Sequence, residues 1–392
     1  MTASRSARQT APSKGEPPGI VLALQHHLPH SRAVMTAARI IIVNFNAGAY
    51  LDRCLKAVQA QTRGDFEVVV VDNNSHDGSL AVVPHDDARF RVIPLADNVG
   101  FAAANNRGAE GATTPWIVTL NPDAFPAPDW LETLIADAES HPGAAMVGST
   151  LLLDDESDGV TRYDGTGDNV SPFGLPWRGG FRKPARPEHP SGEVFGPCAA
   201  AALYDRVMFE AVGGFDECFF CYCEDVDLAF RIRLLGGRCY QSGRSVVRHI
   251  SSGVTGRHSE FSLFYGYRNA WWMALKCMPT VLLPLVVLGQ TLGCLLLEVR
   301  GLMLRRRLPG LRALYHGLVD CGPCWTARRS LQRQRRVSTL TILRALTWSL
   351  SAFIGRRIVV RPWHPLAPAR TSTVTEAATP PQPLPSPLAD DR

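Results

Sequence analysis

The strongest constraint on the fold is a recurring pattern: a short β-branched run, a polar turn, then apolar residues at helical spacing. Ile40-Ile41-Ile42-Val43 ends at Asn44-Phe45-Asn46, and Phe66 to Val71 ends at Asp72-Asn73-Asn74. Phe90 to Leu95 leads to Asp97-Asn98-Val99-Gly100, and Trp116 to Leu120 leads to Asn121-Pro122-Asp123. Pro122 cannot continue a central strand, so the fourth run stops at Leu120 and presents Asp123 at its carboxyl end. Leu51, Leu55 and Val58 mark one intervening helix, Ala102 to Gly111 a second, and Asp129 to Ser140 a third. Strands and helices alternating in this way predict an α/β fold, a mostly parallel sheet with helices on both faces. The turns at Asn44, Asp72, Asn98 and Asp123 then converge along one sheet edge, where such folds bind ligands.

A dinucleotide site would need G-x-G-x-x-G after the first strand. Asn44-Phe45-Asn46-Ala47-Gly48 does not supply it. Residues 151–195 are loop-rich, with Tyr163, Phe173 and Trp177 interspersed; they either line an acceptor pocket or form a surface excursion. Phe195 to Leu203 reads as a buried segment whose small residues permit close backbone approach to a ligand. Beyond the turn Gly213-Gly214-Phe215-Asp216, Glu224-Asp225-Val226-Asp227 opens a helix continued by Leu228, Ile232 and Leu235 and closed at Gly236-Gly237. The helix dipole favours acids at that end, yet three carboxylates exceed what one cap requires. Ser245 to His249 is a further strand; like Asp123, His249 stands at a strand end and is a candidate metal ligand. Cys218, Cys221 and Cys223 lack the second ligand pair of a zinc site. Cys321-Gly322-Pro323-Cys324 lacks the βαβ setting of a redox motif.

Charge is regional. The chain carries a net +5, but fifteen arginines and a single acid, Asp320, lie between Arg300 and Arg370. The first 299 residues are therefore net acidic, which does not suit a nucleic-acid partner. Ten scattered cysteines and the lack of a secretory signal pattern fit a reducing cytosolic setting. Met278 to Leu297 is long enough to span a bilayer core, whereas Leu340 to Ile354 is short for a span. Flanking arginines suit helices lying in or dipping into an anionic cytoplasmic leaflet. A single transmembrane helix and a buried helix are the alternatives. The expected division is 1–34 disordered, with Met35 a possible true start; 35–275 catalytic; 276–365 hydrophobic and Arg-rich membrane-associated helices; and 366–392 a disordered tail.

From Arg39 to about Trp272 the chain resembles glycosyltransferase family 2, inverting enzymes of the GT-A fold, and within it the bacterial rhamnosyltransferase-like branch. The resemblance is carried by Val43-Asn44-Phe45-Asn46, Val71-Asp72-Asn73-Asn74-Ser75 with Asp77-Gly78-Ser79, and Asn98-Val99-Gly100-Phe101 with Asn105. Leu120-Asn121-Pro122-Asp123, Gly213-Gly214-Phe215-Asp216, Glu224-Asp225-Val226-Asp227 with Arg231, and His249 complete it. It implies a Rossmann-like GT-A sheet in which Asn44 and Asp72 hold the base and ribose of a nucleotide-diphosphate sugar. Asn98, Gly100 and Asn105 would shape the donor pocket, with Asn121 offering a carbonyl oxygen or amide donor to phosphate or sugar. Asp123 and His249 would bind Mg²⁺ or Mn²⁺, Asp225 would act as catalytic base, and Glu224 would position the acceptor. The implied function is transfer of a sugar, rhamnose by branch resemblance, to a lipid-linked or polysaccharide hydroxyl at the cytoplasmic membrane face. The rival readings are a catalytically silent nucleotide-sugar or lipid-binding protein and a nucleotidyltransferase on a similar sheet.

Overall fold

The parallel half of the sheet follows the order of the β-branched runs. The computed structural model describes residues 36–155, 158–251, 259–305 and 309–364. The expectations for residues 1–34, Met35 and 366–392 lie outside them. β1 (Ala38–Asn44) and β2 (Phe66–Asp72) pair in parallel with Asn44 opposite Asp72, joined through α1 (Ala49–Gln59). β3 (Phe90–Pro94) extends this edge; α2 (Gly100–Ala109) then leads to β4 (Trp116–Leu120), parallel to β1 on its other side. The fourth run stops at Leu120, before Pro122.

β5 (Ala124–Pro126), α3 (Trp130–Ser140) and the fully buried β6 (Ala144–Leu153) follow. Among its described residues the loop-rich region holds four short strands: β7 (Tyr163–Gly165) on β6, the hairpin β8 (Asp168–Val170) with β9 (Pro176–Arg178), and β10 (Gly192–Val194). β11 (Ala201–Asp205) runs antiparallel between β4 and β6. After α4 (Arg206–Ala211) and α5 (Glu224–Leu234), β12 (Arg238–His249) lies parallel to β6. The last strand begins seven residues before the expected Ser245, because its buried polar Gln241 and Ser242 hide the apolar pattern. The sheet order is β10-β12-β6-β11-β4-β1-β2-β3.

Successive side chains of a strand face opposite ways. Ile40 and Ile42 therefore meet Leu51 and Leu55 of α1 and Trp130 and Leu134 of α3. Ile41 and Val43 pack with Ala102 and Ala104 of α2 and Leu228 and Ile232 of α5 on the other face. Helices cover both faces, as the alternation predicts.

The remaining helices are α6 (Glu260–Cys277), α7 (Leu283–Met303), α8 (Gly310–Val319), α9 (Gly322–Gln334), α10 (Thr339–Ala345) and α11 (Leu350–Ile354). Trp271, Met273, Val286, Cys294, Cys324 and Leu346 join Phe230 and Leu234 of α5 in a third core. The chain then returns to the sheet edge, where Arg361 and Glu193 exchange backbone hydrogen bonds of 2.7 and 2.9 Å. Residues Thr280–Met303 form a helical stretch long and apolar enough to cross a membrane by length and composition. The second apolar run is broken into α10 and α11, each too short to span.

Candidate active site

The four strand-end turns do converge, but their residues divide the work. Asn44 is fully buried, and its amide donates to Asp72 Oδ1 (3.2 Å), Ser75 Oγ (3.0 Å) and Ser79 Oγ (2.9 Å). Asn44 and Asp72 therefore knit the first two turns together, and neither lines the cleft of about 880 Å³ along the sheet edge. Asn105 is also set back from it: its amide donates to Phe101 O (2.9 Å) within α2. Asn73, Asn98, Gly100 and Asn121 do line the cleft. Asn73 donates to Asn98 Oδ1 at 2.7 Å, and Asn98 accepts from the Gly100 N–H at 3.0 Å. Gly100 has φ +86°, and a Cβ there would lie 2.5 Å from the Phe220 ring, so only glycine suits it.

Asp123 and His249 meet because β5 pairs antiparallel with β12, setting His249 opposite Ala124. His249 Nε2 lies 3.1 Å from Asp123 Oδ1 and 3.4 Å from Asn121 Nδ2. Its other nitrogen, Nδ1, sits 2.8 Å from Asp164 Oδ2, and Asp164 is held in turn by Arg178 at 2.7 Å. Burial works against a charged imidazole, but the Asp123 and Asp164 carboxylates outweigh it and raise His249 to about 9. Burial alone would raise Asp164, yet Arg178 and His249 hold it well below the usual carboxylate range. A carboxylate behind one nitrogen aims the other, which is how protein histidines are oriented toward a metal. The oxygen and imidazole set of Asp123 and His249 thus fits a hard divalent cation. Two protein ligands leave most of the coordination sphere to the ligand's own oxygens.

A second acidic group lies where α5 begins. Asp225 accepts from the backbone N–H groups of Val226 (2.8 Å) and Ala199 (3.2 Å). Asp168 of β8 is close by: an Asp168 oxygen, an Asp225 oxygen and Cys198 Sγ lie within 4.8 Å of one another. Burial pushes the Cys198 thiol well up, which favours a protonated thiol beside the two acids. Burial and the Asp225 charge push Asp168 up to about 8. Glu224 rises well above its ordinary value for the same two reasons. Burial raises Asp225 too, opposed by Arg178 and by its backbone donors.

The loop before α5 is strained. Phe220, Tyr222 and Cys223 all have left-handed φ, at 60°, 67° and 65°, a conformation that costs a non-glycine residue on the order of 1–3 kcal/mol. One buried amide holds it: Asn269 Nδ2 of α6 lies 2.9, 2.8 and 2.8 Å from the carbonyls of Phe219, Cys221 and Tyr222. Asn269→Ala is expected to let the loop relax and misplace Glu224 and Asp225. In a reacting site a displacement of about 1 Å costs on the order of 10²-fold in rate. A lowered rate in whatever reaction the wild type catalyses, with an unchanged denaturant midpoint, checks this.

Asp164, Asp168, Arg178, Asn73 and Asn269 were not singled out from the sequence. The first three lie in the aperiodic region 151–195; their one signal is two acids bracketing Gly165 and Gly167. At Gly165 a Cβ would fall 2.5 Å from Arg178 Cδ, so the glycine lets the arginine cross to Asp164. Cys218, Cys221 and Cys223 are free, and burial raises all three thiols, Cys218 to about 11. Cys324 is likewise pushed by burial to about 12.

Residues 39–213 match the family model described as glycosyl transferase family 2. The chain is 27% identical over 267 residues to the N-acetylglucosaminyl-diphospho-decaprenol L-rhamnosyltransferase of Mycobacterium tuberculosis, covering 60% of this chain and 86% of that protein. It is 30% identical over 232 residues to an O-antigen biosynthesis protein of Myxococcus xanthus, covering 54% of this chain and 17% of that one. The crystal structure of S. aureus TarS 1–349 superposes with a TM-score of 0.50 at 14% identity, covering 80% and 93% of the two chains, a likeness of fold alone.

Proposed function

From the premise that this chain carries a glycosyl transferase family 2 domain at residues 39–213, we propose an inverting, divalent-metal-dependent transfer. A sugar moves from a nucleotide-diphosphate donor to a hydroxyl of a lipid-linked or polysaccharide acceptor at the cytoplasmic membrane face. One observation carries this reading: a single cleft holds the Asp123–His249 pair and, on a different element, Asp225 with Glu224.

The acceptor hydroxyl is too weak an acid to attack unaided at neutral pH. Asp225 takes its proton as the oxygen bonds to the anomeric carbon, and the bond to the donor phosphate breaks with its electron pair leaving on the nucleoside diphosphate. One base and one in-line displacement invert the anomeric centre without a covalent enzyme intermediate. Asp168, with its raised pKa, holds a proton near neutrality and so spares Asp225 a second full negative charge beside it. Asp123 and His249 would hold Mg²⁺ or Mn²⁺, which neutralises the charge developing on the diphosphate oxygens. Asn73, Asn98 and Asn121 offer amides to the donor, while Asn44 and Asp72 support it indirectly by ordering the turns.

With Asp123 and His249 as the protein ligands among the described residues, Mn²⁺ is expected to bind weakly alone and tightly once a nucleotide sugar is present. Tight donor-independent binding by calorimetry would contradict the assignment. The transferase reading is tested by incubating the protein with a panel of nucleotide sugars and Mn²⁺. Release of nucleoside diphosphate supports transfer; binding without turnover supports a silent binder, and pyrophosphate release a nucleotidyltransferase. dTDP-rhamnose heads the panel because the M. tuberculosis relative is named a rhamnosyltransferase.

Association with the membrane is supported by α7. Its Val286, Gly289, Gln290 and Cys294 are buried, and Gln290 donates to Gly174 O at 2.9 Å, so one face packs along the catalytic domain. The opposite face exposes Leu288, Leu292, Leu295, Leu296, Leu302 and Met303. A helix held along its length in this way lies in the membrane plane. Replacing Leu292 and Leu296, 51% and 58% exposed, by aspartate is expected to abolish co-sedimentation with anionic vesicles and leave the fold intact. Unchanged sedimentation would remove α7 from the membrane contact.

A further inference from the structure

We propose that Arg182 and Arg356 form a phosphate subsite at the rim of the cleft, which takes the phosphate headgroup of a lipid-linked acceptor. The proposal rests on the transferase reading and names where its acceptor is held.

Three arginines, Arg178, Arg182 and Arg356, line one part of the cleft. Arg178 is committed to Asp164, at 2.7 Å. Arg182 and Arg356 are exposed at the rim, and among the described residues neither guanidinium has an ion pair or a hydrogen bond. Elsewhere in the cleft acids outnumber bases, so two unneutralised cations on one rim mark a place for an anion.

The backbone supports them deliberately. Arg182 and Arg356 both adopt left-handed φ, 63° and 46°, which long side chains rarely take. Hydrogen bonds hold both segments: the Arg182 N–H donates to Tyr163 O at 2.8 Å, and Gly180 N–H donates to Arg356 O at 2.9 Å. The Arg356 guanidinium also lies over the Phe181 ring, 5.3 Å from its centroid. The two arginines are thus presented from one stitched pair of segments, and guanidinium forks match phosphate geometry.

Their neighbours indicate the source of the phosphate. Arg356 follows α11, which exposes Leu350 and Ile354 at 59% and 72%, with Trp348 just before it at 56%. Phe353 of the same helix packs edge-on against Trp177 of the cleft wall, ring centroids 5.5 Å apart. A phosphate at the two arginines would therefore continue into an apolar surface, as a lipid phosphate does and a free one does not. The donor's diphosphate has its own place at Asp123 and His249.

The test measures binding of farnesyl diphosphate, inorganic pyrophosphate and dTDP with Mn²⁺ to the full chain, in detergent micelles, for wild type and R182N/R356N. Asparagine tolerates the left-handed backbone, so folding is preserved. Farnesyl diphosphate affinity is expected to fall about 10-fold or more, the loss of two charge-assisted contacts, with dTDP affinity changed less than about 2-fold. Inorganic pyrophosphate should bind the wild type more weakly than farnesyl diphosphate. Unchanged farnesyl diphosphate binding in the variant would overturn the proposal. So would an equal loss of dTDP binding, which would make this a donor site, or pyrophosphate binding as tight as the lipid's. Failure of the transferase reading shows separately, as no nucleoside diphosphate released by the wild type from any donor.

Discussion

Asp225→Asn is expected to abolish sugar transfer, lowering the rate by about 10²–10⁴-fold, while the protein still binds its nucleotide donor. The amide keeps the shape and one of the two backbone hydrogen bonds, from Val226 and Ala199, that the carboxylate oxygens accept separately, but it cannot accept the proton of the acceptor hydroxyl. Single-turnover rates at saturating donor, beside donor affinity by calorimetry, separate the two effects. Substantial residual turnover would sink the base assignment. The wild-type pH profile carries a related expectation. Burial raises Asp225 above the ordinary carboxylate value, and a catalytic base at this position would work only when deprotonated. Activity should therefore fall with acid at a pH above the ordinary aspartate pKa of about 4.

Lys276→Met is expected to destabilise the protein by about 3–5 kcal/mol, read as a lowered denaturant midpoint, because it leaves buried charge uncompensated. Lys276 is only 2% exposed; its ammonium pairs with Asp216 and lies 2.7 Å from Asp227 Oδ1. Burial works against its charge, but the two carboxylates raise its pKa. Burial would likewise raise Asp216, yet Lys276 and Arg231 hold it well below the usual range. The signs define a window. The depressed acid stabilises above its unfolded pKa of about 4 and loses that contribution as pH falls; the raised lysine stabilises below about 10.4 and loses it only as pH rises further. A midpoint unchanged by the substitution across that window would show that the network contributes nothing. Since Lys276 and Asn269 both stand on α6, this helix secures the segment 216–227 that presents Glu224 and Asp225.

The C-terminal run shows how far composition reaches. Twenty apolar residues flanked by arginines describe a spanning helix and an in-plane one equally well. Gln290 bonded to Gly174 O, and Gly289 with no room for a Cβ beside Phe173, tie one face of this helix to the β8–β9 hairpin; both partners lie more than a hundred residues earlier in the chain.

Local chemistry by itself determined the alternating strands and helices, the stop at Pro122, and the acids and histidine at the ends of strands and helices. Periodicity and chain-breaking residues act within a few positions, so they are legible in a single sequence. Asn44 and Asp72 show the limit: polar residues at strand ends were predictable, but only the tertiary structure bonded the Asn44 amide to Asp72, Ser75 and Ser79. The same holds for Asp164, which reaches His249 because β7 pairs with β6 beside β12. It holds again for Asn269, nearly fifty residues from the carbonyls it caps. Such contacts depend on which segments pair across the fold, and no short-range spacing encodes that choice.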